Sequence, residues 1–128
     1  MNLNKDDNLR QDIMGIKTSY SYGGIERFEK MTPETFNKLH ENGFIDMDYA
    51  FNDSPTIGEF KNFVDKYPDE IIYFHGYIVS PERDDNRLVV EGLEAISENK
   101  DFIIDFTNEF HYADEFKVEN GYQRCWYD

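Results

Sequence analysis

Two apolar runs separated by a polar break form the strongest pattern in the chain. Residues 71–79 and 88–96 are rich in Ile, Val, Phe and Tyr, and residues 80–87 between them include one Pro, two Asp and one Asn. Strand-forming runs on either side of such turn residues are typical of a β-hairpin with a longer loop. Gly92, inside the second run, indicates a bulge or the close approach of another backbone segment.

Two helices are predicted upstream, each from a hydroxyl residue followed by proline. Thr32-Pro33 opens the first, which is expected to end at Gly43, and Ser54-Pro55 opens the second, which is expected to end at Pro68. Thr and Ser are good N-caps, and proline in the first turn gives up an amide that has no acceptor within the helix. Apolar residues follow at helical spacing in both segments.

Residues 98–113 have a helical period, with Ser97 placed as the N-cap. Phe102, Phe106 and Phe110 fall within the arc of a core-facing stripe. Asp101, Asp105 and Glu109 gather on a separate arc. Residues 101–106 also alternate like a strand, but only the helical period continues to Ala113, so a helix is preferred.

Asn120-Gly121 is the strongest short-range signal at the end of the chain. This pair is preferred in a type I′ turn, so residues 116–119 and 122–127 are predicted to form a second hairpin. Residues 1–24 are predicted to form a flexible or loosely docked arm with a possible short strand over 18–22. The remainder, 25–128, is expected to be one α+β domain.

The element order ααββαββ predicts a four-stranded, mainly antiparallel sheet with the helices packed on one face. Hydrophobic residues make up 39% of the 128 residues and aromatic residues 16%, which supplies enough apolar surface for a core. The single cysteine, Cys125, excludes an internal disulfide and is expected to be a buried structural thiol. Because no apolar stretch resembles a signal peptide or membrane span, a cytoplasmic protein is expected.

Charge narrows the classes of partner. The formal net charge is −14, from 27 acidic and 13 basic side chains, and no Lys or Arg occurs between His40 and Phe60. Nucleic acids and anionic membranes require a basic binding face, so neither is expected to bind directly. A basic protein is the expected partner, and the oligomeric state is left open.

Motifs for catalysis or metal binding do not occur in recognisable form. Asp46 and Asp48 begin like a calcium-binding loop, but Phe51 stands where that loop requires glycine. The three histidines lack the spacing of a zinc site, and no P-loop, GxGxxG or GxSxG motif is present. The sequence therefore predicts a protein that is not an enzyme, with no catalytic residues, metal or cofactor.

The preferred hypothesis is an acidic protein that occludes a basic surface of a partner. Asp101, Asp105 and Glu109 repeat every four residues, about 6 Å apart along a helix, which resembles the spacing of phosphates on a nucleic-acid strand. Loop carboxylates are expected to extend this surface; they are Asp46, Asp48, Asp53, Glu82, Asp84 and Asp85. The concrete form of this hypothesis is a DNA-mimic inhibitor of the anti-CRISPR or anti-restriction type. Its target would be a nuclease or another nucleic-acid-binding effector.

Two alternatives remain open. An immunity protein that neutralises a basic toxin would have one tight cognate partner instead of competing with DNA. A small-ligand or enzymatic pocket could instead lie on one face of the first predicted strand, built from Tyr73, His75, Tyr77 and Trp126. A deep cleft holding His75 would favour the pocket, whereas a carboxylate-rich surface would favour the binding proteins.

Overall fold

The computed structural model describes residues 2–21 and 23–128 and has the order αβααββαββ within them. The helices are α1 (Asp7–Met14), α2 (Pro33–Glu41), α3 (Ile57–Asp65) and α4 (Lys100–Phe110). The strands are β1 (Ile25–Met31), β2 (Ile71–Val79), β3 (Leu88–Ile96), β4 (Glu115–Glu119) and β5 (Tyr122–Trp126). The predicted α+β class is confirmed.

The sheet has five strands instead of the four expected. All neighbours pair antiparallel in the order β1-β2-β3-β5-β4, and the expected hairpins are β2–β3 and β4–β5. The unexpected strand is β1, at one edge. Its sequence, IERFEKM, is mostly charged, and a register shift between Phe28 and Met31 breaks the alternation by which strands are recognised.

Gly92 lies at a bulge and at a close backbone approach, as its position in the sequence predicts. The β2–β3 register shifts between His75 and Gly76, and the bulge brings β3 against β5. A Cβ atom at Gly92 would lie 1.9 Å from the carbonyl oxygen of Cys125 and 2.8 Å from the His75 ring. Any side chain here would therefore collide with both.

The caps of α2 and α3 agree with the sequence only in part. Thr32 caps α2 as predicted, and Gly43 follows that helix with φ +82°. The cap of α3 is Thr56, two residues after the expected Ser54, because Thr56 and Glu59 form a reciprocal capping box. The Ser54 hydroxyl instead accepts from the Phe51 amide and donates to the Pro55 carbonyl.

The helix expected over 98–113 is α4, and the alternative of a strand over 101–106 is wrong. Asn99 caps it in place of the expected Ser97, accepting from the amides of Asp101 and Phe102. The Ser97 hydroxyl instead donates a hydrogen bond to Glu70, the residue directly before β2. The helix ends at Phe110, before the predicted Ala113.

One core joins the four helices to the same face of the sheet. Phe36 of α2 stacks on Phe74 of β2 with ring centroids 4.4 Å apart, and both are 0% exposed. Between α3 and α4, five phenylalanines form a chain of ring contacts: Phe60, Phe63, Phe102, Phe106 and Phe110. These stacks place α3 and α4 side by side, with their polar faces turned outward.

Within the stretch expected to be an arm, residues 7–14 form α1 and pack against the core through Leu9, Ile13 and Met14. Arg10 is 2% exposed and donates to the Val79 carbonyl and the Asn86 side chain. The strand considered over 18–22 does not form over 18–21, and residue 22 lies outside the described residues. Arg10 can be buried because acceptors on distant residues satisfy its guanidinium N–H groups. A pattern in the sequence does not reveal such long-range hydrogen bonds.

Candidate functional site

The carboxylate row of α4 is present but interrupted in the middle. Asp101 and Glu109 are exposed, whereas Asp105 accepts hydrogen bonds from the Tyr67 hydroxyl (2.6 Å) and Lys66 Nζ (3.1 Å). Burial acts to raise the pKa of Asp105, but the bonds from Tyr67 and Lys66 outweigh it and hold that pKa below its ordinary value. Asp105 is ionised and paired, so the row presents two free charges instead of three.

The loop carboxylates differ in how far they are paired with other groups. Asp85 forms salt bridges with Arg83 (2.7 Å) and Arg87 (2.8 Å), which lower its pKa, while Asp84 is exposed. Asp46 is half-buried and accepts from the amide of exposed Asp48. The tip of the β2–β3 hairpin is therefore close to neutral.

A different set of carboxylates surrounds a groove of about 490 Å³, which we call the acidic groove. It lies where the α2–α3 linker, the end of α4 and the residues after β5 meet. Its five acidic residues are Asp53, Glu59, Glu109, Asp114 and Asp128, and no Lys or Arg lines it. Within the part of the chain that the structure describes, none of these five forms a salt bridge.

Aromatic rings accompany the charges in the acidic groove. Tyr112 is 86% exposed beside buried Phe110 and Tyr127. Burial raises the pKa of the Tyr127 hydroxyl, and the negative charges of Glu109 and Asp114 add to that shift. Carboxylates next to an exposed aromatic ring suit an ammonium or guanidinium group, through ion pairing and cation–π attraction.

Of the groove residues, the sequence identified Glu109 and Asp53 as carboxylates of the binding surface, and the interval from His40 to Phe60 as acid-only. It missed Glu59, Asp114 and Asp128 as members of one site. They come from three separate segments that only the fold brings together.

Comparison of the chain with protein families, curated protein sequences and solved structures found no match.

The four residues of the alternative pocket lie on the sheet face opposite the helices, but His75 does not open into a cleft. It is 7% exposed, and its Nε2–H donates to the Cys125 carbonyl oxygen at 3.0 Å. Burial lowers the pKa of His75 to about 4, so the ring is neutral near pH 7. Tyr73 and Trp126 are half-buried and Tyr77 is buried. The hydrogen bond of His75 therefore joins β2 to β5 across Gly92 of β3, which is a structural role.

Three further observations bear on the class of protein. Among residues 2–21 and 23–128, no group of three or more His, Cys, Asp or Glu side chains is arranged to hold a metal ion. None of the helices in these ranges has the length and apolar character needed to cross a membrane. Burial also raises the pKa of the Cys125 thiol to about 12, which leaves it unreactive as a nucleophile.

Proposed function

We propose that the protein is a small acidic binding protein that occludes a basic surface of a partner protein. The acidic groove carries this proposal, because it combines concave shape, five carboxylates and an exposed tyrosine without a compensating cation in its lining. Most surface carboxylates are simply solvated, but carboxylates that converge on one concavity raise the local negative potential together. A protruding Lys or Arg side chain would neutralise that potential and be held by more than one carboxylate.

Glu109 links the groove to the exposed face of α4, since it lines the groove and ends the row that begins at Asp101. A partner that fills the groove can therefore also contact the outer side of α4. The formal net charge of −14 would speed its approach by electrostatic steering. A partner surface of several cations over this length resembles one that binds a nucleic-acid backbone, which favours the DNA-mimic form of the proposal.

The test compares two double variants with equal changes in net charge. Asp53→Lys with Glu109→Lys reverses two groove charges, and Asp12→Lys with Glu41→Lys reverses two exposed charges on α1 and α2. Glu109 and Glu41 both lie in the last turn of a helix, so the effects of these two substitutions on helix stability are matched. No side-chain hydrogen bond of these four carboxylates occurs in the described residues, which makes misfolding an unlikely complication for either variant.

The tagged wild-type protein is used to capture partners from cell lysate at low and at moderate salt, and the captured protein is then purified for affinity measurements. The groove variant is expected to bind that partner about tenfold or more weakly, and the control variant is expected to keep most of the affinity. Equal losses in both variants would show that only overall charge matters and would refute the groove as the binding site.

Competition with duplex DNA separates the two forms of the proposal. A DNA mimic should be displaced from its partner by DNA, and its binding should weaken steeply as salt rises from 50 to about 200 mM. An immunity protein should hold its toxin when DNA is added. Capture of no basic protein at either salt concentration would contradict the proposal as a whole.

A further inference from the structure

A second cavity, of about 170 Å³, lies on the sheet face opposite the helices and concentrates arginine in an otherwise acidic protein. Arg27, Arg83 and Arg87 line it, which are three of the five arginines in the chain. No lysine lines it, although the chain has eight. Guanidinium groups differ from ammonium groups in their planar fork, which matches the two oxygens of a carboxylate. We call this space the arginine cavity.

The Arg27 guanidinium is held in place by one hydrogen bond, and part of its donor set stays available. Its Nη1 donates to Glu91 at 2.5 Å, and its guanidinium lies over the Tyr77 ring, 5.6 Å from the centroid. Within the described residues, neither Nε nor Nη2 of Arg27 donates a hydrogen bond. These two nitrogens form one edge of the guanidinium, the edge that binds a carboxylate through two parallel bonds.

Glu91 acts as a buried counter-ion for Arg27. Its side chain is 3% exposed, whereas that of Arg27 is 59% exposed. Burial raises the pKa of Glu91, while the charge of Arg27 and its hydrogen bond oppose that shift. The pair fixes the guanidinium at the wall of the cavity and leaves its outer edge accessible.

Arg87 is fixed on the other side of the cavity. Its guanidinium lies over the Tyr49 ring, 5.4 Å from the centroid, and its Nε donates to the Tyr49 hydroxyl at 3.1 Å. Asp85 holds both Arg87 and Arg83. Two of the guanidiniums therefore stack on aromatic rings, which reduces the conformational entropy that a ligand would otherwise have to remove.

The charges and walls of the arginine cavity restrict its ligand. The lining carries three guanidiniums and two carboxylates, Glu91 and Asp128, and Asp85 adds a third negative charge through its salt bridges with Arg83 and Arg87. The cavity therefore offers an anion the unused edge of Arg27 and no surplus positive charge. Ile25, Phe51 and Val79 add apolar surface. The volume is about that of five or six liquid waters and is smaller than a drug-sized pocket, typically about 300 Å³ or more. A dianion would leave surplus negative charge beside Glu91.

We propose that the arginine cavity binds a small monocarboxylate with a compact apolar body. The carboxylate accepts hydrogen bonds from the Nε–Nη2 edge of Arg27 and is attracted by the positive charge of Arg87. The apolar body of the ligand packs against Phe51 and Val79. The lining of this cavity shares Asp128 with the acidic groove and otherwise consists of different residues, so the two sites can be tested with separate variants.

Benzoate and benzamide are suitable probes, because they have the same shape and differ in charge. Each is titrated into the isotopically labelled protein while backbone and methyl resonances are followed by NMR. Benzoate is expected to shift the resonances of Val79, Val89 and Tyr77 saturably, with a dissociation constant in the millimolar range typical of a fragment. Benzamide is expected to shift them at least about tenfold more weakly, because it has no charge to pair with Arg27.

Arg27→Lys keeps the positive charge and removes the planar fork. It is expected to weaken benzoate binding about tenfold, whereas Arg124→Lys is the matched control because Arg124 lies on the same sheet face outside the cavity and pairs with Glu115. Equal responses to the two probes, or equal losses in the two variants, would overturn the proposal. Stronger shifts of the same resonances with inorganic phosphate would also overturn it, since the site would then select phosphoryl groups.

Discussion

The two faces of the sheet use the same strands for different purposes. On the helix-covered face, Phe74, Ile78 and Leu93 are 0% exposed and belong to the hydrophobic core. On the opposite face, the alternating residues of the same strands include His75 and Glu91, which are also buried but ionisable. Tyr73, Glu94 and Trp126 on this opposite face are only half-buried, so it is less completely covered than the helix-packed face.

The difference lies in what covers each face. Four helices cover the first, whereas the α2–α3 linker covers part of the second by placing Tyr49 and Phe51 against Tyr77, Val79 and Val89. A linker hides less surface than a layer of helices and leaves gaps, and the arginine cavity is one of them. The apolar face stabilises the fold, and the polar face holds charged groups in fixed positions.

Substitution of neighbouring residues in β2 gives the largest contrast between the faces. Phe74→Ala is expected to lower the free energy of unfolding by about 3–5 kcal/mol, because it leaves a cavity beneath Phe36. Tyr73→Ala, one residue earlier on the opposite face, is expected to cost about 1 kcal/mol because Tyr73 is half-buried. Urea denaturation measures both, and similar losses would show that the two faces contribute equally.

The pH dependence of stability tests the ionisable groups of the opposite face. Burial lowers the pKa of His75 from 6.5 to about 4, so the unfolded chain binds a proton more readily than the folded protein between these values. Stability is therefore expected to fall by about 3 kcal/mol between pH 7 and 4 through this residue. His75→Gln should remove that part of the slope in denaturation curves, and parallel pH profiles of the variant and the wild type would contradict the assignment.

Glu91 is expected to have a smaller effect of opposite sign. Burial raises its pKa in the folded protein, so its contribution to stability is complete below the unfolded pKa of about 4.5 and is lost as pH rises through the folded value. Glu91→Gln should therefore gain stability relative to the wild type as pH rises, by less than the change at His75 because Arg27 compensates the charge. A difference that does not vary with pH would show that Glu91 titrates normally.

Local chemistry in the sequence was enough to predict much of the fold. Thr32-Pro33, Asn120-Gly121 and the bulge at Gly92 each depend on backbone geometry within a few residues, and the cap, the hairpin and the bulge are found as expected. The turn itself is not the predicted type I′, because Gly121 has a positive φ (77°) and Asn120 does not. β1 was missed because an edge strand with charged residues and a bulge lacks alternation. α1 was missed because only its contacts with distant residues explain why a polar segment is docked.

The charged sites could be predicted less well, since the spacing of charges along the chain does not show which of them pair. The row on α4 has the expected helical spacing, but Asp105 pairs with Lys66, 39 residues away. Asp85 was expected to be a free acid, yet its neighbours Arg83 and Arg87 both bind it. The acid-only interval correctly predicted that this region is negatively charged. The groove that brings Asp53 close to Asp114 forms only when the chain folds.

The buried guanidinium of Arg10 has a consequence for the order in which the chain folds. Its bond to the Val79 carbonyl spans 69 residues, and its bond to Asn86 spans 76, so both acceptors must be positioned by the β2–β3 hairpin before α1 can dock. Contacts of such long sequence separation form slowly, because a large loop must close first. During native fluctuations the same dependence runs in reverse: α1 can open while the hairpin stays intact, and the hairpin cannot open without releasing α1.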